Sequence, residues 1–175
     1  MATGPARGDA PFISGVAFEE ARIRAASLYC SDGRYGEQFD DFLHHALHLP
    51  RYDRLAVPGG PACLTGRLDV FWEGHSAQQQ LDFLAAVHGL ERLVLIQHQG
   101  CAFYRQWLKV RDEALEARQV EDLHKAAELM RRRHPELRVD AFFARRLEDE
   151  VRFEPVALPA ADGALAQGLT STQST

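Results

Sequence analysis

The feature that most constrains the fold of this chain is an unbroken run of large aliphatic residues, Leu93 to Ile96, between Arg92 and Gln97. Such a run shows no alternation of apolar and polar residues, so it is typical of a strand that is buried on both faces, as in a parallel sheet. A sheet of this kind needs helices on both of its sides. We therefore predict an α/β fold built around a central strand at Arg92–Gln97.

The segments around this strand alternate between strand and helix patterns. Short apolar runs predict further strands at 23–29, 52–57, 137–144 and 151–155. Apolar residues at helical spacing predict helices at 35–49, 76–88 and 102–133, the last with a break near 109–111. Strands that alternate with helices are joined by right-handed crossovers, which make neighbouring strands parallel. The predicted fold is therefore α/β, with a mostly parallel central sheet of about four to five strands and helices on both faces.

Residues that begin, end or interrupt helices mark several boundaries. Ser76 is predicted to cap the second helix, because Gln79 three residues later completes a capping-box pattern. Gly89 is predicted to end that helix in a left-handed conformation. The segment 58–61, with the sequence Pro-Gly-Gly-Pro, is predicted to be a turn or loop without regular structure.

Length and composition indicate a single globular domain. The 175 residues carry a net charge of -5, which disfavours nucleic-acid binding because that needs a basic surface. No apolar stretch approaches the roughly 18 residues that span a membrane, and a signal-peptide pattern is missing, so we expect a cytoplasmic protein without membrane partners. We predict a flexible arm at 1–15, one α/β domain at 16–157 and a disordered tail at 158–175.

Cysteine and histidine residues directly follow two of the predicted strands. Cys30 ends the first strand, and His98 and Cys101 follow the central strand. If these strands are neighbours, the three side chains meet at the carboxyl edge of the sheet, where ligands of parallel sheets bind. Two thiolates and an imidazole are a common zinc ligand set, and three protein ligands leave a fourth position open for water. Three cysteines in all are too few for a disulfide framework, which also favours metal binding.

Asp32 and Arg34 lie two residues apart, just after Cys30. An arginine fork holds a carboxylate ionised and oriented, because it donates two parallel hydrogen bonds. Asp32 is therefore a candidate for one of two roles beside a zinc ion. It either accepts a hydrogen bond from the zinc-bound hydroxide or becomes the fourth ligand and closes the site.

These residues make the chain resemble the β-class carbonic anhydrases. The segment 30–34, Cys-Ser-Asp-Gly-Arg, matches the Cys-x-Asp-x-Arg motif of that family, and 98–101, His-Gln-Gly-Cys, matches its His-x-x-Cys motif. The resemblance implies a zinc cofactor held by the two cysteines and the histidine, with Asp32 and Arg34 as the catalytic pair. It also implies a small-molecule substrate, reversible hydration of carbon dioxide to bicarbonate by a zinc-bound hydroxide, and a homodimer or larger assembly.

Some segments depart from the family pattern or leave alternatives open. Segment 58–61 stands where typical members carry an Arg-Asn-Ala-Gly sequence. This leaves two alternatives, a non-catalytic zinc-binding protein on the same fold and a hydrolase of small substrates like carbonyl sulfide. Cys63 is either a fourth ligand or, as we favour, a core or loop thiol. His44, His45 and His48 form a local cluster that is interpreted as surface or half-buried histidines rather than a metal site.

Overall fold

The computed structural model describes residues 11–66 and 71–160. Within these residues, five strands form one sheet in the order β2-β1-β3-β4-β5. The strands are β1 at Ala25–Cys30, β2 at Asp53–Val57, β3 at Arg92–His98, β4 at Arg138–Leu147 and β5 at Glu150–Pro155. The first four are parallel to their neighbours and β5 is antiparallel to β4. This confirms the predicted mostly parallel sheet.

The order of the strands changes direction at β1, and this fixes where a ligand can bind. The chain passes from β1 to β2 on one side and then returns to place β3 on the other side of β1. In the parallel register of this pair, Tyr29 lies opposite Ile96. The carboxyl ends of β1 and β3 therefore open together at a topological switch point, the usual binding position in an open α/β sheet.

One face of the sheet is covered by helix α1, which spans Gly36–Asp41 and continues as a π-helical turn at Phe42–Ala46. Phe39 and Leu43 from this segment are fully buried. They pack in one apolar cluster with Val94 and Ile96 of β3. Burial of a large apolar side chain contributes about 2 kcal/mol, so this face of β3 is a strong determinant of the fold.

The other face is covered by three elements. Helix α2 spans Phe71–Phe83 and is followed by a π-helical turn at Leu84–His88, while a 3-10 helix occupies Gly60–Thr65. Helix α3 spans Asp112–Arg133 after a π-helical turn at Phe103–Trp107. Residues from all three elements pack with β3 in a second apolar cluster: Leu64, Leu81, Leu93, Leu95, Leu123 and Met130. Helices thus lie on both faces, as predicted.

Two predicted boundaries are wrong in detail. Helix α2 begins at Phe71, so Ser76 lies inside the helix rather than at its cap. Its hydroxyl accepts a hydrogen bond from the Gln80 side chain at 3.3 Å, and a serine inside a helix costs only a few tenths of a kcal/mol. In segment 58–61, Gly60 and Pro61 begin the 3-10 helix instead of remaining irregular, because proline suits the first turn of a helix.

Other boundaries agree with the sequence pattern. Gly89 ends the turn after α2 with a φ of 63°, and the chain is non-helical between Trp107 and Asp112, where the break was predicted. Most of the predicted arm and tail, 1–10 and 161–175, lies outside the described residues. Within 11–66 and 71–160, no helix is both long enough and apolar enough to cross a membrane.

Candidate metal centre

Cys30, His98 and Cys101 meet at the switch point of the sheet. One donor atom from each side chain lies within 4.8 Å of the other two. Cys30 is the last residue of β1 and His98 is the last of β3, so the pairing of these strands brings the two residues together. All three are buried, with His98 and Cys101 at 0% exposure. The structure thus assembles the predicted trio from segments that are distant in the chain.

The separation of the two sulfur atoms suits a shared metal ion. The Sγ atoms of Cys30 and Cys101 are 3.7 Å apart. Two sulfur ligands at about 2.3 Å from a tetrahedral zinc ion lie about 3.8 Å from each other, whereas a disulfide needs about 2.05 Å. The pair is free of any disulfide, and its geometry fits the edge of a zinc tetrahedron.

The imidazole of His98 is oriented as a metal ligand would be. Its Nδ1 donates to the carbonyl oxygen of Gln99 at 3.0 Å, which leaves the lone pair on Nε2. That Nε2 atom is buried and has no hydrogen-bond partner among the described residues. The Tyr35 ring packs against the imidazole, with the ring centroids 4.3 Å apart. Because a buried polar atom without a partner is costly, Nε2 is suited to a cation in the site.

The two thiols of the centre are in hydrogen-bonding contact. This contact lowers the pKa of Cys30, with further help from His98. The same contact and burial raise the pKa of Cys101. Metal binding needs both sulfurs deprotonated, so the lowered pKa of Cys30 favours the form that a cation binds.

Backbone amides also act on the two cysteines. The amide of Gly59 helps to lower the pKa of Cys30, and the amides of Phe103 and Tyr104 act in the same direction on the pKa of Cys101. The next residue in the loop, Gly60, has a φ of +51°, and a Cβ there would lie 2.8 Å from the backbone nitrogen of Cys30. Segment 58–61 is therefore a wall of the site that accepts only glycine at this point of close approach.

Asp32 and Arg34 form a tight pair next to the three donors. Asp32 Oδ1 accepts from Arg34 Nε at 2.9 Å and from its backbone amide at 3.1 Å, and Oδ2 accepts from Nη2 at 2.6 Å. These bonds lower the pKa of Asp32 to about 2. Asp32 is not part of the group of converging donors, and both of its oxygens face Arg34. In this structure the Asp32 carboxylate is thus engaged by Arg34 and lies outside the converging group.

The remaining sequence candidates lie elsewhere. Cys63 is 2% exposed and packs in the apolar cluster under α2 and α3. His45 pairs with Asp41 at 2.9 Å, and the His44 ring packs near Tyr52. Within the described residues, the centre at the switch point is the one group that could hold a metal ion through three such donors.

Sequence reasoning missed a set of buried polar residues behind the centre: Gln97, Tyr104, Gln119 and Asp122. All four are at 0% exposure. A signal was present for most of them, since Gln97 continues an aliphatic run and the α3 positions 119 and 122 stand where helical spacing from Leu115 requires apolar residues. A polar residue at a position that the pattern makes apolar indicates a buried hydrogen-bond network.

Comparison with known proteins agrees with this geometry. A family model described as "putative carbonic anhydrase" matches residues 21–157. The chain belongs to this carbonic anhydrase family. No curated protein sequence matches it significantly.

Solved structures resemble the fold. A β-carbonic anhydrase, isoform I, from Trichomonas vaginalis has a TM-score of 0.51 at 14% identity, over 79% of this chain and 86% of that chain. A carbonic anhydrase from Glaciozyma antarctica has a TM-score of 0.48 at 16% identity, over 74% and 80% of the two chains. A β-carbonic anhydrase from Aspergillus fumigatus has a TM-score of 0.46 at 16% identity, over 78% and 77%. The first of these likenesses supports the β-class fold.

Proposed function

We propose that this protein is a zinc-dependent carbonic anhydrase that hydrates carbon dioxide reversibly to bicarbonate. The observation that carries the proposal is the buried trio at the switch point, in which two sulfurs and the partnerless Nε2 atom of His98 converge. The membership of the chain in the carbonic anhydrase family supports the same reaction.

Cys30, His98 and Cys101 would hold the zinc ion. When bound, zinc acts as a Lewis acid and lowers the pKa of water from 15.7 to about 7, which makes hydroxide available near neutral pH. The protein contributes a site from which bulk water is largely excluded, because all three donors are buried. Exclusion of water strengthens each electrostatic interaction inside the site.

Asp32 would orient the reacting water. Its carboxylate is held by three hydrogen bonds from Arg34, so it is ionised and fixed in direction. An oriented, ionised carboxylate accepts a hydrogen bond and so aligns an oxygen lone pair with the incoming carbon atom. Arg34 acts through Asp32, as a positioning residue.

The pair of Asp32 and Arg34 also helps to distinguish catalysis from the alternative role, a non-catalytic zinc-binding protein. Such a protein closes the site with four protein ligands. The converging group contains three donors, and Asp32 is engaged by Arg34. A set of three protein donors among the described residues is typical of a catalytic zinc site, whereas a closed structural site has four.

We also propose that the chain associates with itself as a homodimer or larger assembly. Four apolar side chains of the segment before β1 are more than 80% exposed in the single chain: Phe12, Ile13, Val16 and Phe18. Exposed apolar side chains this close together mark association surfaces. Light scattering on the purified protein, compared with a variant carrying Phe12→Ser and Phe18→Ser, measures this, and a wild-type monomer at micromolar concentration contradicts it.

The test of function is metal content and carbon dioxide hydration measured on one purified sample. We expect about one zinc per chain and hydration well above the buffer rate. Cys101→Ala should lose both, and Cys63→Ala, which removes an equally buried thiol outside the site, should keep both. Zinc without hydration would favour the non-catalytic role or a hydrolase of substrates like carbonyl sulfide, and a chain without zinc would contradict the proposal.

A further inference from the structure

Gln97 is the residue that links the two halves of the metal centre. It lies in β3 directly before His98 and is fully buried. Its side-chain Nε2 donates two hydrogen bonds, one to the carbonyl oxygen of Gly59 at 3.0 Å and one to the hydroxyl of Tyr104 at 2.8 Å. One amide group thus binds residues from the loop after β2 and from the turn after β3.

Both of these partners lie against the cysteines of the centre. Gly59 accepts from Gln97 through its carbonyl, and the next residue, Gly60, approaches Cys30 so closely that a Cβ there would lie 2.8 Å from the Cys30 backbone nitrogen. Tyr104 accepts from Gln97 through its hydroxyl and packs in one buried cluster with Cys30 and Cys101. A single side chain therefore holds two segments that line the cysteines.

A chain of further hydrogen bonds gives Gln97 its orientation. Its Oε1 accepts from Gln119 Nε2 at 3.3 Å, and the same nitrogen donates to the carbonyl oxygen of His98 at 2.8 Å. The Tyr104 hydroxyl in turn donates to Asp122 at 2.9 Å, and Asp122 accepts from Arg118 at 3.0 Å. Because each donor faces an acceptor, the Gln97 amide can adopt only one of its two flipped orientations.

We propose that Gln97 is a positioning residue of the metal centre, which holds the segments at Gly59 and Tyr104 against the two cysteines and so tunes their binding of zinc. Hydrogen-bonded residues behind the ligands of a metal orient those ligands and adjust the metal affinity. The inference rests on the proposed zinc site. It assigns a role to residues whose side chains do not contact the three metal-binding atoms. That role concerns the strength of metal binding rather than the reaction.

The test compares two variants that remove parts of the network with one matched control. Gln97→Met keeps an unbranched side chain of similar length and removes the amide, while Tyr104→Phe removes only the hydroxyl. Ser27→Ala is the control, because Ser27 is equally buried and its hydroxyl donates to the Val94 carbonyl at 3.1 Å, within the sheet and outside the network. The probes are zinc release to a chelator and the absorption spectrum of the cobalt-substituted protein.

We expect Gln97→Met and Tyr104→Phe to release zinc about 10- to 100-fold faster than wild type. We also expect both variants to shift the sulfur-to-cobalt charge-transfer band, because the positions of the two cysteines around the metal change. Ser27→Ala should leave the release rate within twofold and the band unmoved. The band separates a positioning role from a purely structural one, since loss of stability alone does not move it.

Release rates within twofold of wild type and an unmoved band in both variants would overturn the inference while leaving the zinc site intact. A wild-type protein that binds neither zinc nor cobalt would instead contradict the proposed function itself. If Gln97→Met does not fold, Tyr104→Phe decides the matter alone, because it keeps the aromatic ring and loses a single oxygen atom.

Discussion

Two regions of the molecule are rich in metal-ligand side chains, and they differ in almost every physical respect. His44, His45 and His48 lie within five residues of one another, yet their side chains diverge, with the His44 and His45 rings 6.2 Å apart and nearly perpendicular. Cys30 and Cys101 are separated by 71 positions, yet their sulfurs are in contact. Proximity in sequence is therefore a poor guide to a site, whereas position at the ends of paired strands is a good one.

The two regions also differ in how far their side chains are exposed to solvent. The His45 side chain is 78% exposed and is already paired with Asp41, so a metal ion there must displace water and a neighbouring carboxylate. The trio at the switch point is buried, and its three donor atoms converge within 4.8 Å of one another. A cation therefore gains more at the buried centre, because electrostatic attraction is weaker where water screens it.

The largest effect is expected from a substitution that removes a ligand of the buried centre. His98→Ala removes one of three ligands, so we expect the purified protein to lose its zinc and its hydration activity together. His45→Ala removes an imidazole from the exposed cluster, and we expect zinc content and rate within twofold of wild type. Elemental analysis and hydration assays on the two variants measure the contrast. Equal loss in both would mean that the histidine cluster takes part in metal binding.

The next largest effect is expected at Gly60, in the segment 58–61 that lines the site beside Cys30. Gly60→Ala places a Cβ against the Cys30 backbone at a positive φ, so we expect the free energy of unfolding to fall by about 3 kcal/mol and zinc to be held more weakly. Gly36→Ala is the matched control, because a Cβ there meets open space at the start of α1. Urea unfolding of both variants tests this. A Gly60→Ala variant with the unfolding free energy of wild type would show that segment 58–61 can shift with no loss of stability.

A smaller effect is expected when a carboxylate is neutralised without loss of a ligand. Asp32→Asn keeps the shape of the side chain but removes the charge that Arg34 holds, so we expect zinc content to be unchanged and kcat to fall roughly 100-fold. Asp41→Asn makes the same change in the exposed pair with His45 and should leave kcat unchanged. Loss of zinc from Asp32→Asn would instead identify Asp32 as a ligand.

The smallest effect lies in the exposed charges. The pKa of Asp82 is lowered, first because Arg133 donates to its carboxylate and further because His134 does so. A carboxyl whose folded pKa is lower than its unfolded value of about 3.9 stabilises the fold above that value. The contribution is lost as the pH falls through the lower folded value. Because the pair is partly exposed, we expect Asp82→Asn to cost less than about 1 kcal/mol at pH 7.

Unfolding of wild type and Asp82→Asn in urea at pH 7 and at pH 3 measures this dependence. The difference in unfolding free energy between the two proteins should shrink at pH 3. A difference that grows on acidification would mean that the carboxylate is not stabilised by its basic neighbours. At both pH values, we expect the change in unfolding free energy from Asp82→Asn to be far smaller than the effects of substitutions at the buried centre.

Much of the fold follows from the sequence because its signals are local. The aliphatic run in β3 predicts a strand buried on both faces, and Cys30 and His98 at strand ends predict a meeting point once β1 and β3 are neighbours. The pairing of β1 with β3 itself is known only from the structure. Local sequence patterns do not determine which strands pair, because the pairing depends on how the connecting helices pack on the sheet.

The network behind the centre was not predicted, for a related reason. Gln119 and Asp122 lie on α3, and their partners in β3 and the turn after it are 21 and 18 positions away in the chain. Their polarity indicates a buried network, but its members are known only when α3 is placed on the sheet. In the same way, the capping pattern at Ser76 was misleading because a local preference of about 1 kcal/mol yields to tertiary packing.

The most direct test of the account is the X-ray absorption spectrum of zinc in the purified protein. The proposed site predicts two sulfur ligands at about 2.3 Å and the remaining ligands as nitrogen or oxygen at about 2.0 to 2.1 Å, with the same spectrum in Cys63→Ala. A spectrum with three sulfurs would bring Cys63 into the site. Ligands of nitrogen and oxygen alone would contradict the central claim that Cys30, His98 and Cys101 hold the metal.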